Sequence, residues 1–184
     1  HNMKYDFSVI KDQVPSIRQI ISKSVSTFYG VQFVANNVNM TLKDSYKFMS
    51  WALKDTAKEL GLDDSYKKKD HIWYGYFTSE NYPEDPDAKM LSLNTYLQGY
   101  NNSNPHDSSP LTASVFLESY TAAGLNVELG FEGETMVDIW AYYAYYLEWD
   151  CRILAAGMLA LDTALKEGLE NNGVKCPSIF DRKV

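Results

Sequence analysis

The sequence predicts a mainly α fold: a single-domain bundle of five or six helices around a long central C-terminal helix, with two or three short strands. An α+β arrangement is the alternative. Three observations carry that expectation. Apolar residues recur at helical spacing over residues 8–29 and 42–60. Thr41-Leu-Lys-Asp44 and Thr135-Met-Val-Asp138 both resemble capping boxes, in which a Thr hydroxyl accepts from an orphan backbone N–H. The run from Ile139 to Leu161 is apolar around most of a helical circumference, the pattern of a helix wrapped by others.

Taken in order, residues 8–29 place Ile17, Ile20, Ile21, Val25 and Phe28 on one helical face, with Pro15 in the first turn and Gly30 at the end. From Thr41, the residues Leu42, Tyr46, Met49, Leu53, Ala57 and Leu60 follow at helical steps, and Gly61 supplies a left-handed stop. His71–Phe77 is short, aromatic and bounded by turn residues, which suits a strand. Asp85-Pro86-Asp87 reads as the opening of a helix through residue 99, and Asn101–Ser109 as a polar loop. Ser109-Pro110 then caps a helix ending at Gly124, and Leu125–Phe131 alternates like a strand. The long helix runs from residue 135 to about Gly168 with a bend near Gly157, and the tail from Asn171 is irregular. No repeat or linker divides the chain, so residues 3–184 are expected to form one domain, His1-Asn2 reading as a vector remnant before Met3.

The chain has 184 residues, with 17 Lys and Arg against 24 Asp and Glu, a net charge of −7. Its apolar content excludes a disordered or collagen-like chain. Four ionisable groups interrupt its longest apolar run, which argues against a membrane span. No signal-peptide-like run follows Met3, and two cysteines without metal spacing suit reduced thiols, so a cytoplasmic protein is expected. The charge is unevenly placed. Residues 1–62 carry 8 basic and 5 acidic side chains, residues 63–100 carry 4 and 7, residues 101–150 none and 8, and residues 151–184 carry 5 and 4. Between Lys89 and Arg152 there is no Lys or Arg, yet this stretch holds 11 of the 26 aromatic residues. An acidic chain of this kind is a poor holder of nucleic-acid phosphates.

Catalytic and metal chemistry leaves little trace. His71 and His106 have no matched nucleophile or metal spacing, Cys151 and Cys176 form no CxxC, and the glycines form no nucleotide-binding motif. No metal or cofactor is expected. Asp63-Asp64 and Asp85/Asp87 read as caps and turns, Lys67-Lys68-Lys69 as a solvated loop, and Glu148 with Arg152 as a helical ion pair. Asp150, among Tyr146, Trp149, Ile153 and Leu154, needs a partner, for which a tyrosine hydroxyl is the simplest candidate.

The leading expectation is therefore a small acidic binding protein that neutralises a basic protein partner by occlusion, as a toxin-immunity protein or a phage-encoded inhibitor does. The partner is a toxin or nucleic-acid enzyme with a cationic cleft. Carboxylates steer such a partner, and Tyr and Trp supply rigid contact area. The residues expected to form the face are Glu128, Glu132, Glu134, Asp138, Tyr142, Tyr146, Glu148, Trp149 and Asp150. Two alternatives stand beside it. One is an enzyme using Asp138, Asp150 and Tyr146 as acid and base in a helical pocket. The other is a helical carrier whose aromatics from Trp140 to Trp149 line a cavity for an apolar small molecule.

Overall fold

The computed structural model describes Phe7 and residues 11–14, 16–24, 27–66, 71–82 and 89–180. Pro15, Val25, Lys67-Lys68-Lys69 and Asp85-Pro86-Asp87 lie outside the described residues, as do His1-Asn2. The architecture is α+β, which corrects the expected bundle of five or six helices. The described residues form two three-stranded antiparallel sheets and four α-helices, and the chain divides into two compact units, residues 68–151 and the remainder.

In the second of these units, β1 (Ile17–Ser24), β2 (Thr27–Ala35) and β3 (Val38–Lys43) pair in the order β1-β2-β3. These strands replace the helix expected over residues 8–29. Isoleucines at 17, 20 and 21 fit a helical face by spacing, but β-branched and aromatic residues dominate from Ile17 to Val34 and favour a pleated surface. Asn36 and Asn37 close the β2–β3 hairpin with φ of 49° and 62°, the left-handed pair that a two-residue turn requires and that Asn tolerates. Phe7, Val31 and Phe33 form the buried cluster here.

The helix expected from Thr41 is also absent. Thr41 sits in β3 opposite Gln32, and the capping residue is Asp44, whose carboxylate accepts from Tyr46 N at 3.1 Å to start a 3-10 turn. Ala52 is extended, which breaks the helical path, and only the four-residue α1 (Thr56–Glu59) forms. Gly61 does supply the stop at φ 62°, with Leu62 N donating to Ala57 O at 2.8 Å.

In residues 68–151, β4 (Met90–Ser92), β5 (Glu128–Leu129) and β6 (Thr135–Asp138) pair in the order β4-β6-β5. Two helices accompany them, α2 (Leu93–Ser103) and α3 (Ala113–Ala122). Asn101–Ser103, expected in a loop, complete α2. The Asn101 side chain holds the following loop by accepting from Leu111 N (2.7 Å) and donating to Leu111 O (3.1 Å). The α3 cap position is Thr112, not Ser109, and Gly124 ends that helix at φ 78°. His71–Phe77 is a 3-10 turn at Tyr74–Tyr76, not a strand. The core is aromatic: Tyr96, Phe116, Tyr120 and Tyr142 are almost completely buried with Val137 and Ile139.

The last helix, α4 (Ile139–Glu170), supplies residues 139–151 to the unit 68–151 and the rest to the other unit. Thr135 is a strand residue, so the cap is Asp138, whose carboxylate accepts from Ala141 N at 2.8 Å. The helix is not wrapped all round: Ala144, Leu147, Glu148, Cys151, Ala155 and Leu159 are exposed. It runs through Gly157, where a Cβ would collide with the Thr56 methyl, so that glycine serves close packing. Beyond it the irregular tail is held by Asp162, which accepts from Ile179 N (2.7 Å) and Ser178 Oγ (3.0 Å) and pairs with Lys166 Nζ (2.7 Å). No described helix is long and apolar enough to cross a membrane.

Candidate binding surface

The β5–β6 hairpin carries the most exposed apolar side chains of the described structure. Leu129 is 80% exposed and Phe131 89%. Burying a side chain of this size removes roughly 1.5–3 kcal/mol of unfavourable hydration, so exposing two adjacent ones forgoes a gain that a partner can recover. Glu128, Glu132 and Glu134, their neighbours in the chain, are also exposed. The tip is fixed by backbone geometry: Gly130 N donates to Glu134 O at 2.8 Å, Gly133 N to Gly130 O at 3.2 Å, and Glu132 and Gly133 both take positive φ, 60° and 77°. Glu134 is anchored further by accepting from the Ser92 hydroxyl, which also caps α2 through Thr95 N.

A second feature is a shelf of rings along the start of α4. Trp140, Tyr143 and Tyr146 occur at three-residue intervals, so one side of the helix presents all three. The segment Trp73–Phe77 lies against them. Phe77 stacks on Tyr143 with centroids 4.0 Å apart and meets Trp140 edge-on at 4.9 Å. Tyr82 meets Trp140 edge-on at 5.1 Å and Tyr74 meets Tyr146 edge-on at 6.1 Å. Tyr74 Oη donates to Tyr146 Oη at 2.7 Å, and the Tyr146 hydroxyl in turn bonds the Asp150 carboxylate. Burial, opposed by that bond, raises the Asp150 carboxyl above its usual range, while burial and its hydrogen bonds push the Tyr146 hydroxyl up.

Buried tyrosines position both features. Tyr96 Oη donates to His71 O at 2.6 Å and accepts from Trp73 N at 3.1 Å, which fixes the backbone from which the shelf's second layer projects. Burial holds the Tyr96 hydroxyl far above its ordinary range, so it stays protonated and able to do both. The Trp73 indole lies where a Cβ on residue 99 would be, so only glycine fits there in α2. Tyr120 Oη accepts from Asp138 N at 2.8 Å and thereby holds the junction of β6 and α4.

A shallow cleft of about 200 Å³ lies elsewhere in the same unit, lined by His71, Tyr100, Asp107, Ser108, Leu111 and Val115 among others. The sequence leaves these residues unconnected. Tyr100 Oη donates to Asp107 Oδ2 at 3.3 Å, and the His71 ring meets Tyr100 edge-on at 5.8 Å. Burial, then Asp107, raises the Tyr100 hydroxyl. His106 is exposed. Among the described residues no group of three or more His, Cys, Asp or Glu is placed to hold a metal ion.

The nine residues singled out by sequence do not form one face. Glu128, Glu132 and Glu134 are gathered on the hairpin, and Tyr146 and Asp150 on the shelf. Asp138 is a helix cap, and Tyr142 is completely buried against Phe116 and Tyr120, where it offers no surface. Trp149 stacks beneath Tyr145 at 6.1 Å, and Glu148, about 200° around the helix from Tyr146, is exposed on another side. Sequence reasoning missed Leu129, Phe131, Tyr74, Phe77 and Tyr82. The available signal was two apolar residues inside the Gly- and Glu-rich run Leu129–Glu134, where a turn has no core to face. No known protein family, curated protein or solved structure matches this chain.

Proposed function

We propose that the protein neutralises a basic protein partner by occlusion, as a toxin-immunity protein or phage-encoded inhibitor does, and that it docks through the β5–β6 hairpin. The observation that carries this reading is the exposure of Leu129 and Phe131 on the hairpin, with the exposed Glu128, Glu132 and Glu134 next to them along the chain. An apolar anchor inside a charged rim is how interfaces combine affinity with steering: the anchor is desolvated on contact, and the rim accelerates encounter with a surface of opposite sign. The stretch from 90 to 151, without a Lys or Arg, leaves that rim's field unopposed along the chain. Cys151 and Cys176 are free thiols, which suits action in the cytoplasm.

The test is co-expression with the product of the neighbouring gene, followed by capture at low and high salt. The expected result is a complex with a basic protein that weakens as salt rises. Phe131→Ala should weaken it by about tenfold or more, and the triple change Glu128→Lys, Glu132→Lys, Glu134→Lys should abolish it; the double change Glu128→Lys, Glu132→Lys, which keeps the Ser92–Glu134 hydrogen bond, should weaken it severalfold. Undiminished capture by the triple variant would sink the hairpin as the docking site.

A further inference from the structure

We propose, building on the occlusion reading, that the ring shelf on α4 is a receptor for an arginine side chain of the basic partner. Trp140, Tyr143 and Tyr146 extend over about 9 Å of helix, and Asp150 follows one turn later. Tyr82 stands nearly perpendicular to Trp140 (79°) and Tyr74 nearly perpendicular to Tyr146 (78°). These two tyrosines are 63% and 61% exposed, although the unit closes its core elsewhere around Tyr96, Phe116 and Tyr142. They stand at the two ends of the shelf and are not needed to seal that core.

Charge selects the occupant. Ring faces carry the negative side of the aromatic quadrupole and attract a cation. Among the described residues the half-buried Asp150 carboxylate is met by the Tyr146 hydroxyl and by no cation. The hydrogen-bonded pair Tyr74–Tyr146 leads to that carboxylate at the end of the shelf. The Tyr143 face is taken by Phe77, so a planar, weakly hydrated guanidinium would stack on an exposed outer tyrosine, and at the Tyr74 end it could also offer paired N–H donors to the carboxylate. A lysine ammonium would surrender more hydration and cannot stack. A nucleic-acid base would also stack on such rings, but its phosphates would meet a unit holding 13 acidic and 3 basic residues.

The probes are nona-arginine and nona-lysine peptides titrated calorimetrically into the full chain. The arginine peptide should bind about tenfold more tightly. The double change Tyr74→Leu, Tyr82→Leu, at exposed positions that leave the fold intact, should erase that preference while moving the lysine peptide by less than about twofold. Asp150→Asn should lower the preference severalfold. The triple Glu→Lys hairpin variant should weaken both peptides alike and keep their ratio. Equal affinities in the parent protein, or a preference that survives the tyrosine double variant, would overturn the shelf. If instead the preference behaves as expected and the hairpin variant binds both peptides normally, the hairpin is wrong and the shelf stands.

Discussion

Residues 68–151 hold 3 basic and 13 acidic side chains, whereas the rest of the chain holds 14 and 11. Their interiors differ in composition. Among the described residues the acidic unit has a buried cluster of ten centred on Tyr96, Phe116, Tyr120 and Tyr142, while the other buries Phe7, Val31 and Phe33 at its sheet and Met49, Ala57 and Ile179 elsewhere. Mutual repulsion among carboxylates destabilises a compact state. A unit that concentrates acids therefore needs a strong interior, and here buried tyrosines bond backbone as well as fill space.

That contrast can be broken at its strongest point by Phe116→Ala. With no exposed surface and rings of Tyr96, Tyr120 and Tyr142 around it, its loss should cost about 3–5 kcal/mol. Hydrogen exchange should then rise across α2 and α3 far more than across β1–β3; equal loss of protection in both units would show that they do not differ in this way. A smaller effect is expected from Tyr96→Phe, which leaves the Trp73 N–H and the His71 carbonyl without the hydroxyl that serves both, at about 1–3 kcal/mol in urea unfolding.

The smallest effects are those of pH, and they have opposite signs on one helix. Lys166, then the Ile179 N–H, holds the Asp162 carboxyl below its usual range, so its contribution is present above about pH 4 and lost as pH falls through the lowered value. Asp150 is raised, so the folded state binds its proton more tightly, and stability falls as pH rises from about 4 through the raised value. In thermal melts across pH, Asp162→Asn should shrink the acid-side loss and Asp150→Asn should help near neutrality. Parallel pH curves for both variants would contradict this assignment.

How much of this was legible depended on which force decided each segment. Ala113–Ala122 and Ile139–Glu170 were readable as helices from length and periodicity; Gly124 stops the first as expected, whereas the second runs past Gly168 to Glu170. Residues 17–35 were not, because isoleucine spacing fits both periods and the deciding signal was local, Asn36-Asn37 between β-branched flanks. Of the apolar positions expected over residues 41–60, Met49 and Ala57 are buried but Tyr46 is exposed, and the helix is lost. The Tyr146–Asp150 bond was legible from i, i+4 spacing, and the clustering of Glu128, Glu132 and Glu134 from adjacency. Tyr74 and Tyr82 were not, since they reach α4 from more than fifty residues away along the chain.

Glu132 sits at φ 60°, a backbone setting that glycine or asparagine occupies with ease and that a glutamate enters at roughly 1 kcal/mol or more. The hairpin already has a glycine on each side of it, at 130 and 133, so the turn was not short of permissive residues. Folding alone would favour a smaller residue at this point. What the glutamate adds is a negative charge at the outermost bend, beside the most exposed ring, held there against the chain's own conformational preference.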